Sequence, residues 1–462
     1  MFARPALVLA CLCAAAPATA ADADVLFAGA RVLTMGPAGT LERAFVTVSD
    51  GRIVRVAATP PPAADELRRI EADGLVLMPG LADMHVHYFS ENEGPMFLAN
   101  SVTSVRNLWG SAQTLILDAK AASGTTPGPH VYTSGPLMDG PEPIWGDGSL
   151  KLTSPEQAVG AVESQRTTGY RAVKLYEGLT PEIYRAAVAA AQERDMQVWT
   201  HVPGGLDVEA VIELGVDSIE HFDDVQDSVL GDGHDPADGS YFGRWASADE
   251  ARLAALARKS AEAGVWHSPT LTVIATRYAY GADAEGYFAR PEAAYLGPGI
   301  EGWWRNSASR MSPWDERKRK AAAMQRRFLA LLHEAGAPLL LGTDTPNPFV
   351  LPGFAIHDEL ANFVEAGIPV AEVLRIATAD AARFLREEGE WGVVREGARA
   401  DLVLLDADPR EDLATLRRPR GVMVNGHWYD AARLESELAA LRARRAAEAE
   451  AAEAEAGAAP AG

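Results

Sequence analysis

From residue 81 to residue 344, short apolar runs alternate with stretches in which apolar positions recur every three to four residues. That alternation predicts parallel strands separated by amphipathic helices, the pattern of a barrel rather than of a sandwich. Eight strand positions follow: 81–87, 102–108, 130–134, 172–177, 197–201, 218–222, 265–271 and 338–344. Helices are predicted over 181–194, 249–263 and 315–335, each opening near Thr, Pro or Asp and closing near a turn residue. Both chain ends read differently. Alternating β-type runs lie at 25–27, 32–34, 44–48 and 53–56, and again at 400–406 and 421–424, where Asn425-Gly426 signals a hairpin turn before His427-Trp428-Tyr429. The predicted fold class is therefore α/β: a (β/α)8 TIM barrel over 75–389, with a small β-sandwich domain built from 21–74 and 390–432.

Connections 223–248 and 272–313 are long enough to be read as lids over a site. Residues 433–462, nearly all Ala, Glu, Arg and Leu, predict a low-complexity tail, helical or disordered. At the other end, Arg4, the apolar stretch 6–16 and Ala18-Thr19-Ala20 read as a signal peptide over 1–20, too short to span a bilayer, which takes about 20 residues. Both cysteines, Cys11 and Cys13, fall inside it, so the mature chain holds no disulfide, and export to a bacterial periplasm is expected. A lipid anchor on Cys11 is disfavoured by the short apolar stretch before it. A net charge of −22 excludes nucleic acid as a partner and disfavours anionic membrane surfaces. A small-molecule substrate and no membrane span are expected; nothing in the pattern excludes a homo-oligomer.

Candidate chemistry gathers where the predicted strands end. His85 and His87, two apart in one strand, point the same way and can share a metal ion. His201 and His221 each close a run, as does Asp344, at the C-terminal edge where barrel enzymes place their reacting groups. Lys174, in Ala172-Val173-Lys174-Leu175-Tyr176, would be expensive to bury charged and so demands a partner or neutralisation. Six candidate ligands thus fall on five strand ends.

With these residues the sequence resembles the amidohydrolase superfamily, in particular its binuclear members with a lysine on the fourth strand, of the imidazolonepropionase-like and prolidase-like kinds. The likeness rests on Pro79-Gly80-Leu81-Ala82-Asp83-Met84-His85-Val86-His87, Lys174, His201, His221, Gly342-Thr343-Asp344, and Gly397-Ala398-Arg399-Ala400-Asp401-Leu402-Val403-Leu404-Leu405-Asp406. It implies two divalent metal ions, Zn2+ first among them, with a CO2-derived carboxylate on Lys174 bridging both. His85, His87 and Asp344 would then serve one ion, and His201 and His221 the other. It further implies hydrolysis of an amide or related C–N bond by metal-activated hydroxide, Asp344 moving the proton. A lactonase, an esterase or a dipeptidase on the same site, or a mononuclear deaminase on the same fold, are the alternatives.

Substrate contacts are sought among Tyr88, Arg106, Trp145 and Tyr176, with Phe89, Trp109, Tyr278, Tyr280, Trp303, Trp304 and Arg277 also near predicted mouth loops. Peptidase-like relatives carry a Gly-Gly-His-Gly type segment after the third strand. Here the chain reads Asp139-Gly140-Pro141-Glu142-Pro143-Ile144-Trp145-Gly146, which argues against a dipeptide. His267 is expected to pack or to support the site, and His130, His234, His333, His357 and His427 to sit on the surface or at caps.

Overall fold

The computed structural model describes residues 24–62, 64–232, 243–281, 283–311 and 315–458. The signal-peptide reading of 1–20 and His234 lie outside the described residues.

Both chain ends build one eight-stranded sheet rather than the two sheets of the expected sandwich. From one edge its order is His427–Asp430, Gly421–Val424, Leu402–Leu405, Val76–Pro79, Val25–Leu33, Thr40–Ser49 and Arg52–Ala57, with Arg68–Glu71 also pairing to Val25–Leu33. Alternation in the sequence buries Phe27, Val32, Val46, Leu77, Leu404, Met423 and Trp428 together. Phe27 meets Trp428 edge to face with centroids 5.3 Å apart. Gly421 is required by this packing, since a Cβ there would lie 2.2 Å from the Trp428 ring. Asn425 and Gly426 both take positive φ (54° and 74°), the geometry a two-residue hairpin demands, and join strands paired from Val424 to His427.

Val76–Pro79 hands the chain directly to Leu81–Val86, the first strand of the parallel layer. That strand pairs in parallel with Val102–Asn107, which pairs with His130–Thr133. A second parallel sheet runs in the order Leu150–Lys151, Met138–Asp139, Ala172–Leu175, Gln197–Thr200, Ser218–Glu220 and Trp266–Ser268. Individual hydrogen bonds link the two: at one seam the Gly135 N–H donates to the Ala172 carbonyl (3.2 Å), and at the other segment 338–344 lies between them, with Met84 donating to Leu341 (2.8 Å), Asp344 to His85 (2.7 Å) and Leu340 to His267 (2.9 Å). Among the described residues these links do not merge the sheets into one continuous ladder.

Two predicted strands differ from the structure. Segment 338–344 forms no ladder and touches its neighbours through the isolated bridges His267 to Leu339 and Val86 to Thr345. Gly342 presses against His85, where a Cβ would lie 2.6 Å from the His85 Cβ, and Asp344 turns to φ 61°, which no extended strand accommodates. The seventh predicted strand, 265–271, is cut to Trp266–Ser268, because Pro269 lacks an N–H and Thr270 sits at φ 49°.

The predicted helices form as Pro181–Glu193, Glu250–Ala263 and Glu316–Ala335. Thr180, Asp249 and Asp315 cap their first turns, and Gly264 and Gly336 close the last two in the left-handed conformation. Their apolar faces join a core that includes Val162, Tyr184, Leu253, Phe328 and Leu360. The long seventh connection is no open loop; it folds into Leu271–Gly281, Ala284–Phe288 and Pro298–Ala308. Nor is the tail frayed at its start: Ala431–Ala458 is a helix whose Leu441 is fully buried among Met96, Trp304 and Phe349. No described helix is long and apolar enough to cross a membrane.

Deleting the Leu441 side chain should leave a cavity in this cluster. Leu441→Ala is expected to cost about 2–5 kcal/mol, read as a lowered denaturation midpoint; an unchanged midpoint would show that the helix is not docked.

Candidate metal centre

Every predicted ligand lies at or just beyond the C-terminal end of a parallel strand or of segment 338–344. His85 is inside Leu81–Val86 and Lys174 inside Ala172–Leu175, while His201 and His221 follow Gln197–Thr200 and Ser218–Glu220 directly. His221 (φ 60°), Asp344 (φ 61°) and Thr270 (φ 49°) are all left-handed, a costly backbone for non-glycine residues that turns the chain at these strand ends. The side chains converge. His87 Nε2 lies 2.9 Å and His85 Nε2 3.5 Å from Asp344 Oδ1, and His221 Nδ1 lies 3.8 Å from Asp344 Oδ2. The ring of His221 is 4.5 Å from that of His85 and 4.8 Å from that of His201. His87, Lys174, His201, His221 and Asp344 line one cavity of 410 Å³, within the ~300–1,000 Å³ of small-molecule sites.

Burial sets the protonation of the cluster. It lowers the Lys174 amine to about 8 even though Glu220 pulls the other way, so a neutral amine is within reach near neutral pH. Burial likewise drives His85 down to about 4, against the pull of Asp344, and His221 well below the usual imidazole range. Both rings are therefore neutral, with lone pairs available to an electrophile. Asp344 is held ionised: burial alone would raise its pKa, but it titrates as one cluster with His221, His85 and the hydrogen-bonded His87, and any proton that cluster shares resides on an imidazole rather than on the carboxylate. His201 departs from its neighbours. Burial and Lys174 lower it, but Asp224, with an oxygen 2.7 Å from Nδ1, carries it up to about 9.

Two groups offer ligand atoms close enough together for a cation: His85, His87 and Asp344, and separately Glu177, His201 and Asp224. Lys174 Nζ, His85 Nε2 and His87 Nδ1 are buried without a hydrogen-bond partner. Orphaned buried polar atoms are costly, and three of them beside one cavity fit divalent ions that would satisfy them.

Glu177 and Asp224 were not anticipated, although both were visible in outline. Glu177 ends the predicted fourth strand, and Asp224 follows His221 by three residues. Neither stands out in the sequence, because exposed carboxylates are abundant.

Two predicted substrate contacts are corrected. Tyr88 is 2% exposed, packs edge to face on Phe97 and does not line the cavity. Arg106 is fully buried beneath the site, donating from Nη2 to Glu220 (2.7 Å), from Nη1 to Ser218 (2.9 Å) and from Nε to the Met84 carbonyl (2.5 Å). An inward-facing residue of a central strand meets neighbouring strands before it meets solvent, and Arg106 finds its carboxylate there.

Trp145 and Tyr176 do line the cavity, with Phe89, Trp109 and Trp303. The Trp145 indole N–H donates to the Tyr176 hydroxyl (2.9 Å), and that of Trp109 to the Gly148 carbonyl (2.8 Å). Asp139 holds the loop carrying Trp145, accepting N–H groups from Gly140, Ile144 and Gly178. Trp304 and Tyr280 pack elsewhere, in the cluster around Phe349. His267 is buried beside Phe222 and Phe328, with Nε2 2.9 Å from Ser260 Oγ. His130 pairs with Asp401, His333 with Glu372 and His357 with Asn100, while His427 is buried in the end sheet. The side chains of Arg277 and Tyr278 lie outside the described residues.

A parallel α/β scaffold with such a cluster at its strand ends has the amidohydrolase fold. The chain belongs to the amidohydrolase family, whose sequence profile matches residues 76–429, and so to hydrolases of carbon–nitrogen bonds. It is 24% identical to ochratoxinase of Aspergillus niger over 469 residues, covering 87% of this chain and 85% of that protein. Bottromycin amidohydrolase superposes with a TM-score of 0.73 at 24% identity, over 91% of this chain and 90% of that one. A Xaa-Pro dipeptidase with bound methionine superposes with a TM-score of 0.64 at 19% identity, over 88% of this chain and 100% of its own. At these identities the two solved structures establish a shared fold.

In metal-free protein the depressed Lys174 pKa makes stability depend on pH. Stability associated with the neutral amine is full above the unfolded value of about 10.5 and is lost as pH falls through about 8. Lys174→Met removes that dependence. The gap in melting temperature between metal-free Lys174→Met and wild type should be largest below pH 8 and shrink toward pH 10; a constant gap would mean the amine is not desolvated.

Proposed function

We propose that this chain is a binuclear metal-dependent amidohydrolase with a carboxylated Lys174, and that the enzyme cleaves the amide of a substrate with an apolar or aromatic group. The observation that carries this reading is the Lys174 amine: 1% exposed, without a hydrogen-bond partner, on the cavity wall and lowered to about 8. Reaction with CO2 requires a neutral amine, and the product is an anion suited to sit between two cations. His85, His87 and Asp344 would hold one Zn2+ or similar ion, His201 and His221 the other. Glu177 and Asp224 are within reach of His201. In the same reading, the two parallel sheets and segment 338–344 make up one (β/α)8 barrel, supported by the bridges from Leu339 and Thr345. Export, read from residues 1–20, is part of the proposal.

When bound, the ions lower the pKa of water toward ~7 and polarise the scissile carbonyl. The protein's own groups do the rest. Asp344, ionised and 2.9 Å from His87, accepts the proton of the attacking water and returns it to the departing amine. Phe89, Trp109, Trp145 and Trp303 supply an apolar wall, and Val273 and Ile300 extend it. Glu177, Asp223 and Asp224 on the same lining disfavour the free carboxylate of a dipeptide. Membership of the amidohydrolase family supports the same bond type.

Metal analysis of purified protein should find about two divalent ions per chain, falling to one or fewer in Lys174→Ala. One ion per chain in wild type, with no carboxylated lysine by mass spectrometry, would favour a mononuclear deaminase instead. In a screen of N-acyl amino acids, cyclic amides and lactones, Asp344→Asn should lose at least ~10³-fold in turnover, a proton-transfer effect. Trp145→Ala should raise KM about tenfold for aromatic amides with little change in kcat, as loss of uniform binding does; an equal effect on small aliphatic amides would remove the aromatic wall from the proposal.

A further inference from the structure

Three site histidines have Nδ1 held by different groups. Asp224 Oδ2 lies 2.7 Å from that atom of His201, Thr270 Oγ1 2.6 Å from that of His221, and Glu220 Oε2 2.8 Å from that of His85. The last arrangement is unlike the other two. Glu220 is 0% exposed, and its Oε2 also accepts from Arg106 Nη2 at 2.7 Å, while Oε1 accepts the Ser218 hydroxyl. Arg106 is itself anchored on Met84 and Ser218 and lies between the rings of Trp199 and Phe384, 4.9 Å from each centroid.

A buried arginine–glutamate pair is a poor way to gain stability, because desolvating both charges offsets most of their attraction. Its geometry serves a different end. Glu220 can only accept a hydrogen bond from His85, so the proton must sit on Nδ1 and the lone pair on Nε2. That Nε2 is buried, has no partner and faces Asp344 Oδ1 at 3.5 Å.

We infer that Glu220, fixed in place by Arg106, is a positioning residue that locks His85 in the Nδ1–H tautomer and so presents Nε2 to the first metal site. The inference rests on the proposed reading of His85 as a metal ligand. Arg106 holds the carboxylate by a two-point attachment through Glu220 and Ser218, leaving Glu220 no freedom to rotate away from the ring. Ligating histidines held this way bind metal more tightly, and losing the outer partner typically costs 10- to 100-fold in affinity.

The tautomer is read directly in metal-free, ¹⁵N-histidine-labelled wild type, with the His85 signals assigned by their absence in His85→Gln. Protonated Nδ1 with bare Nε2 is the expected result, and protonated Nε2 would overturn the inference. Zinc affinity, measured by chelator competition, is the second readout. The double variant Arg106→Met with Glu220→Leu removes both charges together, so no buried charge is stranded. It should keep the circular dichroism of the metal-free protein yet bind zinc about 10- to 100-fold more weakly. Glu220→Gln combined with Arg106→Met, which keeps an acceptor toward Nδ1 and strands no charge, should recover most of that loss. Wild-type affinity in the folded double variant would overturn the inference, and should that variant not fold, the tautomer decides. If wild type itself binds no zinc, the proposed function fails, while the His85 tautomer still reports whether Glu220 sets the ring.

Discussion

Everything around the cavity answers to one constraint: a lysine amine and several imidazoles are held out of water with too few partners. Lys174 Nζ, His85 Nε2 and His87 Nδ1 are all buried and unsatisfied. A fold that keeps such atoms bare must either lose stability or take up something that satisfies them. Burial also lowers Lys174 to about 8 and His85 to about 4, moving both toward the neutral, electron-pair-donating form. Cost and capability therefore share an origin.

The scaffold holds that arrangement by spending backbone strain where strands end. His221, Thr270 and Asp344 adopt left-handed conformations that few non-glycine residues tolerate, and the sheet and helix layer around them leave no cheaper path. Below the cluster, Arg106 and Glu220 carry charge into the protein interior and tie three strands together through Met84, Ser218 and His85. At the other end of the first strand, the sheet made from both chain ends runs straight into it through Val76–Pro79 and Leu81–Val86, so the two layers share a rigid junction. Above, the helices of the seventh connection line one side of the mouth through Val273, Ile300 and Trp303, and the C-terminal helix packs against that connection through Leu441.

Much of this was legible along the chain. The change from period two to period three or four marked the parallel layer, and Asn425-Gly426 marked the hairpin of the end sheet because only residues tolerant of positive φ fit there. The metal-type cluster was visible because histidine, lysine and aspartate at the ends of apolar runs are expensive unless they have work to do. Other features were hidden. Segment 338–344 looks like a strand by composition, yet the contact of Gly342 with His85 and the turn at Asp344 depend on a neighbour far away in sequence. Tyr88 and Arg106 seemed placed for substrate, but whether an inward side chain meets solvent or another strand is decided by the layer packed over it.

The sequence by itself determined most of the strand and helix segments and which residue types could bind metal, since periodicity, turn chemistry and the cost of burying charge are local properties. Only the tertiary structure decided which of those residues share a cavity. It brought Glu177 and Asp224 to His201, set Glu220 behind His85, and raised an aromatic wall from Phe89, Trp109, Trp145 and Trp303, residues that lie far apart along the chain. Distances between strand ends are properties of the packed sheet, and no local pattern encodes them.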